Sequence, residues 1–123
     1  MQALYPKIRA ADALMFAGPI YWFTYTAQLK ACIDRFYALW MTDPSCFDEK
    51  GVALLLTYCN RDEHTSGAIN AIHTFESMTR YLRTEMVGCV HGSTPAPGSA
   101  AKNEDLLARA AELGRQLART PSK

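Results

Sequence analysis

Three short runs, Ala13–Ala17, Val52–Leu56 and Met86–Val90, are apolar at nearly every position instead of alternating with polar residues. A strand that reads this way has both faces covered, which is the environment of a parallel sheet between layers of helix. The intervening segments follow the helical period. Leu29, Ile33, Phe36 and Trp40 fall on one face, with Thr24 or Thr26 as the cap, and Ile69, Ile72, Phe75, Met78 and Leu82 recur at near-helical spacing. Leu4, Tyr5 and Ile8 with Pro6 predict a short leading helix. After the Gly-, Ser- and Pro-rich stretch His91–Lys102, Glu104 and Asp105 open a last helix whose expected buried stripe is Leu106, Leu107, Ala110, Leu113 and Leu117. The order helix, strand, helix, strand, helix, strand, helix specifies an α/β fold with three parallel strands joined by right-handed crossovers.

At 123 residues and 49% hydrophobic, the chain has the size of one domain, residues 1–123. Thirteen basic and twelve acidic side chains nearly cancel, so no nucleic-acid surface is indicated. The N-terminus has no signal-peptide core, and the longest weakly charged stretch, Ala13–Leu29, is broken by Gly18-Pro19. The expectation is a soluble cytoplasmic protein without a membrane segment. Cys32, Cys46, Cys59 and Cys89 show no metal or redox spacing, and His64, His73 and His91 show none either. No metal is assigned. A phosphatase-type nucleophile at Cys59 would need an arginine six positions on, where the chain has Thr65.

In open parallel sheets, ligands bind beyond the carboxyl ends of the strands. The loop after the first run, Gly18–Tyr25, carries Tyr21, Trp22, Phe23 and Tyr25. That cluster suits packing against a helix or a subunit, and its functional reading is a stacking wall for a flat heteroaromatic ligand. The loop after the second run, Cys59-Asn60-Arg61-Asp62-Glu63-His64, reads either as a solvated turn or as a polar rim. In the second case Asn60 and backbone amides would donate, and Arg61 would favour an anionic form of the ligand.

If the strands lie in chain order, the Val52 run is central and the Ala13 run has a bare flank, although it is as apolar as an inner strand. Such an edge calls for a neighbour, either another strand or another subunit. A homo-oligomer, dimer or tetramer, is therefore expected.

The segment from Ala11 to Trp22, ADALMFAGPIYW, followed by Ala27–Arg35, AQLKACIDR, resembles the strand, flavin-loop and helix signature of NADPH-dependent FMN reductases and the related multimeric flavodoxin-like NAD(P)H:quinone oxidoreductases. The likeness continues to Glu112–Ala118 and so spans nearly the whole chain. It implies a flavodoxin-like three-layer sandwich, with FMN as cofactor and NAD(P)H as co-substrate. The implied activity is an oxidoreductase that reduces a flavin, a quinone or a similar small acceptor. By position, Pro19, Ile20, Tyr21, Trp22 and Phe23 would lie beside the isoalloxazine ring. Cys59, Asn60 and Arg61 would form the second flavin loop, which in the family is usually glycine-rich and here is not. Met1 falls just ahead of the helix preceding the family's third strand. The first strand, the phosphate-binding turn, the first helix and the second strand are accordingly expected to be missing, with FMN binding weakened or lost. The implied alternative is a non-catalytic remnant of the fold that serves as an oligomerisation or interaction module.

Overall fold

The computed structural model describes residues 2–121. Three strands run parallel: β1 (Ala13–Tyr21), β3 (Gly51–Tyr58) and β4 (Glu85–Ser93). A two-residue strand, β2 (Thr24–Tyr25), pairs antiparallel with the end of β1, giving the order β2-β1-β3-β4. The Val52 run is central as expected. It is in register with β1 from Ala13↔Gly51 to Pro19↔Thr57, and with β4 up to Tyr58↔Ser93 past an irregularity at Val52/Ala53. All three strands extend beyond the apolar runs that announce them. The fourth strand was not expected, because nothing in Ile20–Tyr25 reads as a turn.

Helices cover both faces. On one lie α1 (Tyr5–Ala10), α2 (Ala27–Asp34), α3 (Phe36–Thr42) and α5 (Ala68–Leu82), packed on a core that includes Phe16, Leu54, Leu56 and Phe75. On the other, α6 (Glu104–Leu117) covers β3 and β4 through Leu106, Leu113 and Leu117. A one-turn helix, α4 (Glu63–Ser66), precedes α5. The Thr26 side chain caps α2 by accepting from the Leu29 amide, and Asn103 caps α6 by accepting from that of Leu106. At β4, Gly92 lets α6 approach closely, since a Cβ there would meet the Leu106 side chain at 2.9 Å. No helix among the described residues is long and apolar enough to cross a membrane.

Three details depart from the sequence reading. The helix drawn through Leu29–Trp40 breaks at Arg35 into α2 and α3. The buried stripe of α5 is Ala68, Ala71, Phe75, Thr79 and Leu82, so Ile72 and Met78 sit at its margin. Thr79 can be buried because its hydroxyl bonds to the Glu76 carbonyl one turn back. Leu107 is exposed, one position off the stripe of α6.

β1 is not covered like an inner strand. Its Met15 and Ala17 are exposed where α6 does not reach. Beside it, between α1 and α2, runs an apolar trough of about 490 Å³ lined by Leu4, Ile8, Met15, Leu29 and Phe36 among others. Pro19 within β1 is compatible only with such a border position, because proline is confined to edge strands or bulges.

Lys50 at the entrance to β3 is only 4% exposed. Its ammonium donates to the carbonyls of Arg9, at 3.1 Å, and Ala11, where α1 ends and carbonyls lack helical partners. This one side chain ties the leading helix to the central strand. Lys50→Met, which keeps the aliphatic length and removes the donor, is expected to lower stability by about 1.5–3 kcal/mol. Urea denaturation measures it, and an unchanged midpoint would contradict the role given to Lys50.

Candidate functional site

The hairpin between β1 and β2 is closed by Tyr21↔Thr24, so Trp22 and Phe23 alone form the turn. Both have left-handed backbones, with φ of 48° and 71°. That pair of angles is the type I′ solution that matches strand twist, normally filled by Asn-Gly. Bulky side chains in it carry strain on the order of 1–3 kcal/mol each, and such strain persists only when the surroundings enforce it.

The N-terminal end of α5 supplies the enforcement. The Asn70 side-chain amide donates to the Phe23 carbonyl at 3.2 Å, and the Tyr25 hydroxyl donates to the Ala71 carbonyl. Tyr25 is buried, and desolvation pushes its phenol far above the usual range, with the Cys89 thiol adding to the effect. Gly67, itself at φ 76°, lies so close that a Cβ would stand 2.5 Å from the Phe23 Cα. Trp22 and Phe23 meet edge to face, centroids 5.7 Å apart. Trp22 nevertheless remains 91% exposed. The packing role open to this cluster is thus filled by Tyr25, while Tyr21 and Trp22 face outward.

Two adjoining cavities lie at the carboxyl end of the parallel strands. One, of about 230 Å³, is lined by Ile20, Trp22, Phe23, Cys59, Asn60 and the Ser66 side of α4, with Tyr58 at its wall. The other, of about 170 Å³, lies among Pro19, Ile20, Tyr21, Cys59, Thr57 and Thr94, and Tyr58 lines it as well. All the site residues read from the sequence therefore meet here except Arg61. Its guanidinium points to solvent and pairs with Asp62 at 3.1 Å, so its charge is not directed at either cavity. Asp62 in turn caps α4, accepting from the Thr65 amide at 2.7 Å. That hydrogen bond, with one from the Thr65 hydroxyl, holds its carboxyl below the usual range. Asn60 is also committed in part, donating to the Thr65 carbonyl at 2.8 Å. The polar loop is an ordered capping turn, and its rim chemistry rests on the remaining Asn60 amide groups.

Sequence reasoning missed Tyr58, which separates the two cavities. It is buried, and its hydroxyl lies 3.0 Å from His91 Nδ1 on the neighbouring strand. Burial raises its phenol, the carboxylates of Glu63 and Asp62 add to the rise, and Arg109 opposes it. The available signal was the position of Tyr58 two residues past the apolar run of β3, where the sheet opens to its carboxyl-end loops. No cluster of three or more metal-ligating side chains occurs among the described residues.

Residues 1–90 match the family described as NADPH-dependent FMN reductase. A curated relative, the iron-sulfur flavoprotein of Methanosarcina thermophila, is 41% identical over 54 residues, covering 44% of this chain and 28% of the relative. The chain thus spans well under a third of that protein. Among solved structures, the Trp repressor binding protein of Bacillus subtilis superposes with a TM-score of 0.80 at 23% identity, over 91% of this chain and 74% of the other. The general stress protein 14 of Treponema denticola, solved in complex with FMN, gives 0.69 at 19% identity, over 94% and 72%. A flavodoxin, WrbA-like, from Agrobacterium tumefaciens gives 0.68 at 16%, over 94% and 74%. At these identities the structural likeness establishes the fold, which is flavodoxin-like.

The hairpin analysis predicts an asymmetry between two substitutions. Gly67→Ala should destabilise the protein by more than about 1 kcal/mol, because the new methyl strikes Phe23 and the backbone angle is unfavourable for alanine. Trp22→Ala should leave stability within about 0.5 kcal/mol of the original, as for surface positions generally. Thermal melts of the two variants check both statements.

Proposed function

The chain belongs to the NADPH-dependent FMN reductase family, and we propose that it binds FMN through its aromatic hairpin turn and forms, as one domain, the ring-binding side of an NAD(P)H-dependent oxidoreductase. The observation that carries this reading is a pair of aromatic residues held in a strained turn, with Trp22 facing solvent, at the carboxyl end of a parallel sheet. The hold of α5 accounts for the backbone angles of the turn but not for a tryptophan left exposed there, and a flat ligand laid against that ring supplies a reason.

The residues present fit an isoalloxazine ring. Tyr21, Trp22 and Phe23 offer ring faces and edges for stacking. Pro19 and Ile20 form an apolar floor, and Cys59 and Asn60 supply the opposite rim. Each cavity falls below the ~300 Å³ of a typical small-molecule pocket, so the proposal concerns the ring more than the whole nucleotide. Arg61, paired with Asp62, is left out of the proposed contacts. Tyr58 offers its hydroxyl at the wall of both cavities, with His91 behind it at hydrogen-bond distance. When FMN is bound, the chemistry supplied at such a site is hydride acceptance from NAD(P)H and onward transfer to a small acceptor such as a quinone or a second flavin. The protein's share is orientation and exclusion of water from the ring.

Titration of FMN with the purified chain, followed through the flavin absorbance and fluorescence, tests the proposal. The expected result is quenching that saturates, with affinity reduced several-fold in Trp22→Ala, in line with about 0.5–1.5 kcal/mol for an aromatic contact. Equal affinity of the two proteins would place the flavin elsewhere. No spectral change at any FMN concentration would instead favour the interaction-module reading.

A further inference from the structure

Three contacts hold the hairpin to α5, and they differ in what they control. Tyr25 is buried, and its hydroxyl donates to the Ala71 carbonyl, so it anchors β2 as part of the core. Gly67 makes room for the Phe23 backbone. Asn70 belongs to neither category. Its side chain is exposed, and its amide donates to the Phe23 carbonyl at 3.2 Å, the one hydrogen bond that this side chain makes among the described residues.

The Phe23 carbonyl needs that partner. Tyr21 and Thr24 close the ladder of the hairpin, which leaves the carbonyl of the second turn residue outside it. Phe23 sits at φ 71°, in a small well that a bulky side chain leaves readily. Rotation of the peptide after Phe23 would swing its ring and, through their edge-to-face contact, the ring of Trp22. Packing cannot oppose this, because Trp22 is almost wholly exposed. The Asn70 donor can, since it is mounted on a helix: its own amide bonds to the Gly67 carbonyl at 3.0 Å, and its carbonyl accepts from the Thr74 hydroxyl at 2.8 Å.

We propose that Asn70 is a positioning residue of the ring-binding site, which fixes the direction of the Trp22 ring by holding the Phe23 carbonyl. Asn70 lines neither of the two cavities, so it acts on a ligand only through that ring. The inference rests on the reading of the hairpin as the wall for the flavin ring, and it names the residue outside the wall that sets its angle.

Two substitutions separate this role from support of the fold. Asn70→Ala removes the donor. Asn70→Asp keeps the shape, removes the donor and places a carboxylate in the first turn of α5, which holds no acidic residue and whose positive end favours one. Asn70→Asp is therefore expected to melt no lower than the unmodified chain. In both variants flavin affinity should fall by about three- to tenfold, the loss expected when one large side chain must be ordered on binding. FMN and riboflavin, each titrated with the purified proteins, provide the readout. Equal losses for the two ligands separate the effect from repulsion between the new carboxylate and the FMN phosphate. Combined with Trp22→Ala, either substitution should change affinity by less than about twofold, because the two residues act as one unit. Flavin binding that Trp22→Ala weakens and both Asn70 variants leave unmoved would overturn the inference alone. Affinity that falls only in step with the melting temperature would mark Asn70 as support of the fold and overturn it too. So would a full Asn70 effect in the absence of the Trp22 ring. No binding by the unmodified chain would overturn the reading of the site and the inference together.

Discussion

Parallel pairing of β3 with a strand on each flank sets the geometry of everything else. A strand bonded on both sides and covered on both faces exposes no backbone polar group to water, so Val52–Leu56 can be wholly apolar. Because the neighbours run parallel, their connections must cross over the sheet as helices, and all the carboxyl ends of the strands gather along one edge. That edge is where Tyr58 from β3, Cys59 and Asn60 from the loop after it, His91 and Thr94 from β4 and its continuation, and the hairpin from β1 converge. The candidate site is thus a consequence of strand direction, and the side chains there need no special long-range device to come together.

The hairpin is governed by a different partner. β2 is too short to hold itself in place, and its turn residues disfavour the angles they adopt. Its conformation is imposed by α5, through Asn70, Ala71 and the glycine that opens the helix. The helix that closes one face of the core therefore also presents the aromatic surface on the sheet's edge. Core packing and site geometry are linked through a single element.

This division explains how much could be read from the sequence. The strands and crossover helices announce themselves through period, since burial on two faces or on one helical stripe leaves a composition that survives without coordinates. The Ala13 flank could be recognised as open because strand order follows from crossover rules. The hairpin could not be read, because turn chemistry is recognised by glycine and asparagine and the turn here is built of tryptophan and phenylalanine. Arg61 could not be placed from the sequence for a related reason. Its charge suggested a ligand, yet its neighbour Asp62 is adjacent in sequence and takes the interaction locally. Tyr58 was overlooked because a tyrosine at the end of an apolar run looks like core; only the approach of His91 from the next strand gives its hydroxyl a chemical role.

The positive backbone angles of Trp22 and Phe23 bear on how the protein can change. At most surface turns, the residues that fold best are also tolerated by function, so drift towards consensus turn sequences is harmless. In this hairpin the two requirements conflict: Asn-Gly would relax the backbone and firm up the fold, yet it would delete the aromatic surface. Stabilising substitutions are therefore easiest to find at the positions where they do most harm. A library screened for thermal resistance alone would be drawn towards variants that keep the fold and lose the site.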